Sequence, residues 1–228
     1  MTPQAPPTFD HWVKSIFDRP TVEEAWHASY RDNGRWLEQS PALGLEFVAK
    51  LFENPLGYLS GYSDEQINQG IWMIVNTSSS DHFCCLIESD VDLTLRRRCI
   101  RSIENLSREV FAPRCSDDVW IYTKPMNEIC DLLWDMLVRG AETVERNPDD
   151  TLRSVRDPEI DKEILDTLAR ILASPSVACQ QSALHGLGHL VDYAGLGSNV
   201  IQQYLDEHPD LRSDLREYAL NALVGRVM

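Results

Sequence analysis

Two histidines, His185 and His189, stand four residues apart in the stretch Val177-Ala-Cys-Gln-Gln-Ser-Ala-Leu-His-Gly-Leu-Gly-His-Leu-Val191. On a helix this spacing puts both imidazoles on one face, roughly 40° apart. Imidazoles so placed can share a metal ion, but a zinc site needs a third protein ligand. Asp192, three residues past His189, is the nearest local carboxylate. No Glu lies between the histidines to act as a base, as in His-Glu-x-x-His. Gly186 and Gly188 fill that interval instead. Each glycine costs about 1 kcal/mol in a helix interior relative to alanine, so the pair predicts close approach of another helix or a ligand. Helical projection places Val177, Leu184, Leu187 and Val191 on an apolar arc. Gln181, His185, His189 and Asp192 form a separate polar stripe. The stripe is read as a polar binding or packing face lying off the core. Metal ligation by His185 and His189 is the lesser reading, and no cofactor or catalytic residue is assigned.

The elements that must hold this stripe are helical. Ser63-Asp-Glu-Gln66 and Thr21-Val-Glu-Glu24 are capping boxes. Ser40-Pro41, Asp157-Pro158 and Ser174-Pro175 each put a capping side chain before a proline, whose missing N–H costs nothing in the first turn. Apolar residues recur every three or four positions, as in Leu45, Val48, Ala49 and Phe52. The pattern predicts helices near 8–18, 21–30, 41–53, 64–76, 81–88, 91–111, 126–143, 158–173, 175–192 and 198–225, the last split around His208-Pro209. No run reads as a convincing strand; Val119-Trp-Ile-Tyr-Thr123 is taken as a connector or short helix. Residues 1–7 read as a disordered lead-in, 8–228 as one α-helical domain, and the polar segment 146–151 as a joint within it. Trp72 and Trp134 are assigned to the core, while Trp12 and Trp36 are left open.

Ala183, Leu184 and Leu187 recur as Ala219, Leu220 and Leu223, an offset of 36 residues. On those residues, 158–228 resembles a HEAT-like α-solenoid, nearest to short bacterial HEAT-like repeats. The resemblance implies an all-α superhelix of stacked antiparallel helix pairs, irregular in the N-terminal half. The second helix of each pair would line a concave surface, and the function would be protein binding. An irregular helical bundle is the competing architecture. In the repeat register Gln181 corresponds to Glu217 and His185 to Asn221. Extending the pattern backwards to an earlier unit, Cys99-Ile100-x-x-Ile103, adds Arg97 and Arg101. The expected groove is then lined by Arg97, Arg101, Gln181, His185, His189, Asp192, Glu217 and Asn221. Arg96-Arg97-Arg98 with Arg101 is the only basic cluster, and internal salt bridges are its plainest use.

The chain has 228 residues with 36 acidic against 21 basic side chains, a net charge of −15. That sign opposes nucleic acid, whose binding needs phosphate neutralisation, and it attracts basic partners. No apolar run is long enough to span a membrane, and the N-terminus lacks a signal-peptide pattern. A cytoplasmic place follows, with all six cysteines reduced. The functional expectation is a non-catalytic protein-binding α-solenoid, an acidic antidote or adaptor for a basic protein. A metal-dependent enzyme using His185 and His189 is one alternative. A homo-oligomer, such as a homodimer through the C-terminal helix, is the other.

Overall fold

A computed structural model describes residues 8–19, 21, 41–77, 80, 82, 83, 86, 90–119, 124–146 and 152–227. The chain begins with α1 (Phe9–Phe17), α2 (Pro41–Glu53), α3 (Pro55–Leu59) and α4 (Asp64–Val75). A longer rod follows: α5 (Leu93–Leu106), a π-helical turn (Ser107–Phe111) and α6 (Ala112–Arg114). Then come α7 (Pro125–Gly140), strands β1 (Glu142–Arg146) and β2 (Leu152–Arg156), α8 (Pro158–Leu172), α9 (Val177–Ala194), α10 (Ser198–Glu207) and α11 (Ser213–Ala222). The fold is all-α.

Local chemistry explains most boundaries. Ser63 and Gln66 form the expected reciprocal capping box at the start of α4. The Asp157 carboxylate accepts from the Glu159 N–H ahead of Pro158, and the His208-Pro209 break separates α10 from α11. Ser174-Pro175 is a correction: it lies in the turn before α9, and Ser176 is the cap, its hydroxyl accepting from the Cys179 N–H. Gly195 closes α9 at φ 64°, a left-handed conformation that favours glycine.

The second correction is a hairpin. β1 and β2 pair antiparallel on either side of the expected joint, with Thr143 opposite Val155 and Val144 opposite Ser154, where no strand was expected and the preceding helix was expected to run to 143. The signal available was the turn-forming run Asn147-Pro148-Asp149-Asp150 between Thr143-Val144 on one side and Val155 on the other. The lead-in 1–7, the helix over 22–30, Ser40, Cys84, Cys85, Trp26, Trp36, Trp120 and most of 81–88 and 120–123 lie outside the described residues.

The helices pack in two rows. One row runs α2, α5, α8, and the other runs α4, α7, α9, α11. α8 also packs on α9, while α10 packs on α9 and α11. A single hydrophobic cluster extends from Phe9 to Ala222. Trp134 is core as expected, Trp72 is partly buried against the core, and Trp12 is fully buried. The Trp12 indole N–H donates to His82 Nε2 at 2.9 Å.

α9 lies at the centre of this packing, so its glycines have an immediate explanation. A Cβ on Gly186 would meet Leu168 Cδ2 at 2.7 Å and Trp134 Cγ at 3.0 Å. One on Gly188 would meet Val227 Cγ1 at 2.6 Å and the Ala222 Cα at 3.2 Å. The close approach inferred from the sequence is therefore that of α7 and α8 on one side and the C-terminal segment on the other.

Candidate functional site

With helices against it on several sides, α9 has little room for an exposed polar stripe. His185 is 1% exposed and His189 8%, and Gln181 is buried with them. This overturns the expectation that the histidines lie off the core on an open groove. Their partners come from α7, the preceding helix of the same row. Gln181 Nε2 donates to Asp131 Oδ2 at 2.6 Å. His185 Nε2 lies 3.1 Å from Asp135 Oδ1 and 3.2 Å from His189 Nε2. His189 Nε2 also contacts Asp135 Oδ1. One turn further on, the Arg139 guanidinium lies over the exposed Tyr193 ring, 5.8 Å from its centroid. Asp131, Asp135 and Arg139 on α7 thus face Gln181, His185/His189 and Tyr193 on α9 in the same order. From the next helix of the row, the Tyr218 hydroxyl reaches His185 Nδ1 at 2.6 Å. A Trp134 N–H to Ser182 Oγ bond of 3.0 Å pins the same two helices beside this seam.

Their hydrogen-bond partners divide the two aspartates. Burial pushes the Asp131 carboxyl up from its ordinary 3.8 to about 7, against the opposing pull of His185 and the Gln181 amide. Burial acts in the same direction on Asp135. There, however, hydrogen bonds from His185 and His189, with their charge, together hold the carboxyl well below its ordinary range. Asp135, His185 and His189 offer one ligand atom each, all within 4.8 Å of one another, the grouping among the described residues that could hold a metal ion.

The other residues expected at the groove lie elsewhere. Asp192 and Glu217 are exposed, Asn221 is partly exposed, and none of them joins the histidine cluster. The residue of α11 that meets His185 is Tyr218, not Asn221. Leu184 is fully buried but Leu220, its repeat counterpart, is 50% exposed. Arg97 and Arg101 belong to α5, in the other row, and both bind the buried Glu163 of α8, at 3.0 Å and 2.8 Å. Burial favours the neutral form of Glu163, but the two guanidiniums outweigh it and hold the carboxyl below its ordinary value. Arg96 reaches Asp157, and Arg98 reaches Glu46 and Glu53. The basic cluster is consumed by internal carboxylates, as its plainest reading expected.

Sequence reasoning missed Asp131, Asp135 and Tyr218. Carboxylates at Asp131 and Asp135, four residues apart among Leu133, Trp134, Leu137 and Val138, were the available signal. Cys99, Cys115, Cys130 and Cys179 are free thiols. Burial raises Cys130, and a hydrogen bond with Cys130 followed by burial raises Cys179.

No family model matches the chain, and no curated protein matches it. Among solved structures, the crystal structure of an engineered protein is similar over 96% of both chains, at 16% identity and a TM-score of 0.27. That likeness is too weak to bear on fold or function. No helix among the described residues is long and apolar enough to cross a membrane.

Proposed function

We propose that this chain is a protein-binding module of stacked helix pairs that recognises a basic protein partner, as an antidote or adaptor would. The carrying observation is the C-terminal edge. Leu220 on α11 and Val224 in the following turn are 50% and 59% exposed, beside exposed Glu217. Exposed apolar anchors on a chain of net charge −15 suit a partner that presents apolar side chains among Lys and Arg. The wider surface favours the same partner. Arg96, Arg97, Arg98, Arg101, Arg156 and Arg170 each pair with a carboxylate of this chain. Pairing removes charges of both signs alike, so the excess of 36 acidic over 21 basic side chains, a net charge of −15, stays with the rest of the surface. The two rows of helices support the reading as stacked pairs. A second copy is the poorer occupant of this edge, because two chains of that charge repel. We place the protein in the cytoplasm, where its thiols stay reduced.

Affinity capture at low and high salt tests this reading, with Leu220→Asp and Val224→Asp alongside the natural chain. Both positions are exposed, so the fold should lose no more than about 0.5 kcal/mol. The expected result is a basic protein retained at low salt, released at high salt, and lost by both variants. Retention indifferent to salt and to both substitutions would overturn the proposal, as would a low-salt dimer in light scattering that either variant abolishes.

A further inference from the structure

We propose that Asp135, His185 and His189 hold one divalent transition-metal ion of the zinc class, bound through Asp135 Oδ1 and the two histidine Nε2 atoms. This site stands independently of the protein-binding reading.

The first support is proton arithmetic. Three atoms form a closed triangle: His185 Nε2 to Asp135 Oδ1 at 3.1 Å, His185 Nε2 to His189 Nε2 at 3.2 Å, and His189 Nε2 to Asp135 Oδ1. A carboxylate oxygen only accepts, and each Nε2 carries at most one proton. The triangle therefore has three contacts and at most two protons, so one contact always sets like against like. A cation at the centre turns all three atoms into ligands and removes the conflict.

The second support is size. Zinc–nitrogen and zinc–oxygen bonds of about 2.0–2.1 Å at tetrahedral angles put neighbouring ligand atoms about 3.3 Å apart. The 3.1 and 3.2 Å separations are close to two edges of one face of such a tetrahedron, and the third, between His189 Nε2 and Asp135 Oδ1, is shorter, so His189 must draw back slightly to admit the ion. Two imidazoles with one carboxylate suit zinc and its neighbours better than calcium or magnesium, which prefer all-oxygen shells.

The third support is the shell behind the ligands. With Nε2 committed to the ion, His185 Nδ1 carries the proton and donates it to the Tyr218 hydroxyl at 2.6 Å. Ligating histidines commonly make this second bond, which fixes tautomer and ring orientation. Tyr218 is thus a positioning residue. Asp135 and His189 keep side-chain exposures of 15% and 10%, while His185 keeps 2%. The fourth position opens on their side, for water or an outside ligand. The ion ties α7 to α9, and Tyr218 extends the tie to α11.

The test uses the full chain, treated with a chelator and then titrated with zinc or cobalt against a competing chelator. Expected are one ion per chain, a visible cobalt spectrum of tetrahedral type, and a Tm that rises with added zinc. Asp135→Asn and His189→Gln, near-isosteric changes at the more exposed positions, should keep the helical circular dichroism and lose stoichiometric binding. Tyr218→Phe should keep the stoichiometry and weaken affinity about 10–100-fold. Overturning results are a natural chain that binds no stoichiometric ion under excess zinc, or folded Asp135→Asn and His189→Gln proteins that bind as tightly as it does. An ion-paired network without metal would lower Tm in both variants by the same amount with and without zinc, which also overturns the proposal.

Discussion

At the scale of single residues, the fold places titratable groups where water cannot reach them, and this makes pH a probe of packing. His82 is the clearest case. Its Nε2 accepts from Trp12 and its Nδ1 lies 2.7 Å from Ser80 Oγ, so the neutral ring with its proton on Nδ1 satisfies both bonds. Burial lowers its pKa from 6.5 to about 3. Between those values the unfolded chain binds a proton that the folded chain refuses. The contribution of His82 is therefore complete above 6.5 and is lost as pH falls toward about 3. His82→Gln keeps an acceptor for Trp12 and has nothing to titrate. Thermal melts across that window should show a shallower loss of Tm in the variant than in the natural chain, and parallel curves would refute the assignment. Asp131 has the opposite sign. Its raised pKa means that the folded chain holds the extra proton, so stability falls as pH rises from 3.8 through about 7. Asp131→Asn, a neutral mimic that still bonds Gln181, should remove that fall. The buried thiols yield a second kind of prediction. Thiolates are the reactive form, and Cys130 and Cys179 are both held protonated. Alkylation mapped by mass spectrometry should leave both unmodified in the native protein and modify both on denaturation.

At the scale of elements, the glycines of α9 set how closely the helix rows approach. A methyl group on Gly186 would press on Trp134 Cγ and one on Gly188 on the Ala222 Cα, contacts of 3.0 and 3.2 Å with atoms that cannot swing away. Gly186→Ala and Gly188→Ala gain helix propensity but overpack, and each should lose about 1–3 kcal/mol in denaturant melts. A stabilised variant would show that the rows can separate at small cost. The same helix shows where sequence reading succeeds and where it stops. Boundaries at Ser63, Pro41, Pro158 and His208-Pro209 were legible because caps and prolines act within one turn of themselves. The close approach at Gly186 and Gly188 was legible because a costly residue needs a local reason. The burial of His185 and His189 was not legible, because a projection of α9 alone cannot show that its second face meets α7. The choice of row was hidden for the same reason. A repeat offset aligned Arg97 and Arg101 with the histidine stripe, yet they pair with Glu163 in the other row. The partners Asp135 and Tyr218 come from sequence-distant helices, and only packing brings them to His185.

At the scale of the whole molecule, the question is whether one body or two unfolds. The polar stretch around 146–151 and the confinement of all six tryptophans to the first 134 residues suggest a seam in the sequence. Packing crosses it. α5 lies on α8 and α7 lies on α9, so helices before the hairpin are neighbours of helices after it in both rows. Trp134 bonds Ser182, Arg96 reaches Asp157, Arg97 and Arg101 reach Glu163, and Asp135 meets His185. A C-terminal part unfolding by itself would strand Asp135 without its histidines and leave the apolar faces of α5 and α7 in water. A single cooperative transition is therefore expected. The uneven tryptophans make the test simple, since fluorescence reports the N-terminal part and, through Trp134, its contact with α9, while far-ultraviolet circular dichroism reports every helix. In a denaturant titration the two signals should fall on one curve with one midpoint. If circular dichroism drops in two steps, with the first step changing fluorescence only by the exposure of Trp134, the C-terminal helices unfold first, and the contacts across the hairpin are weaker than their geometry implies. Added zinc sharpens the comparison. An ion shared by Asp135 on α7 with His185 and His189 on α9 spans the seam, so it should move both curves together to higher denaturant. A shift in only one of them would place the ion within one side.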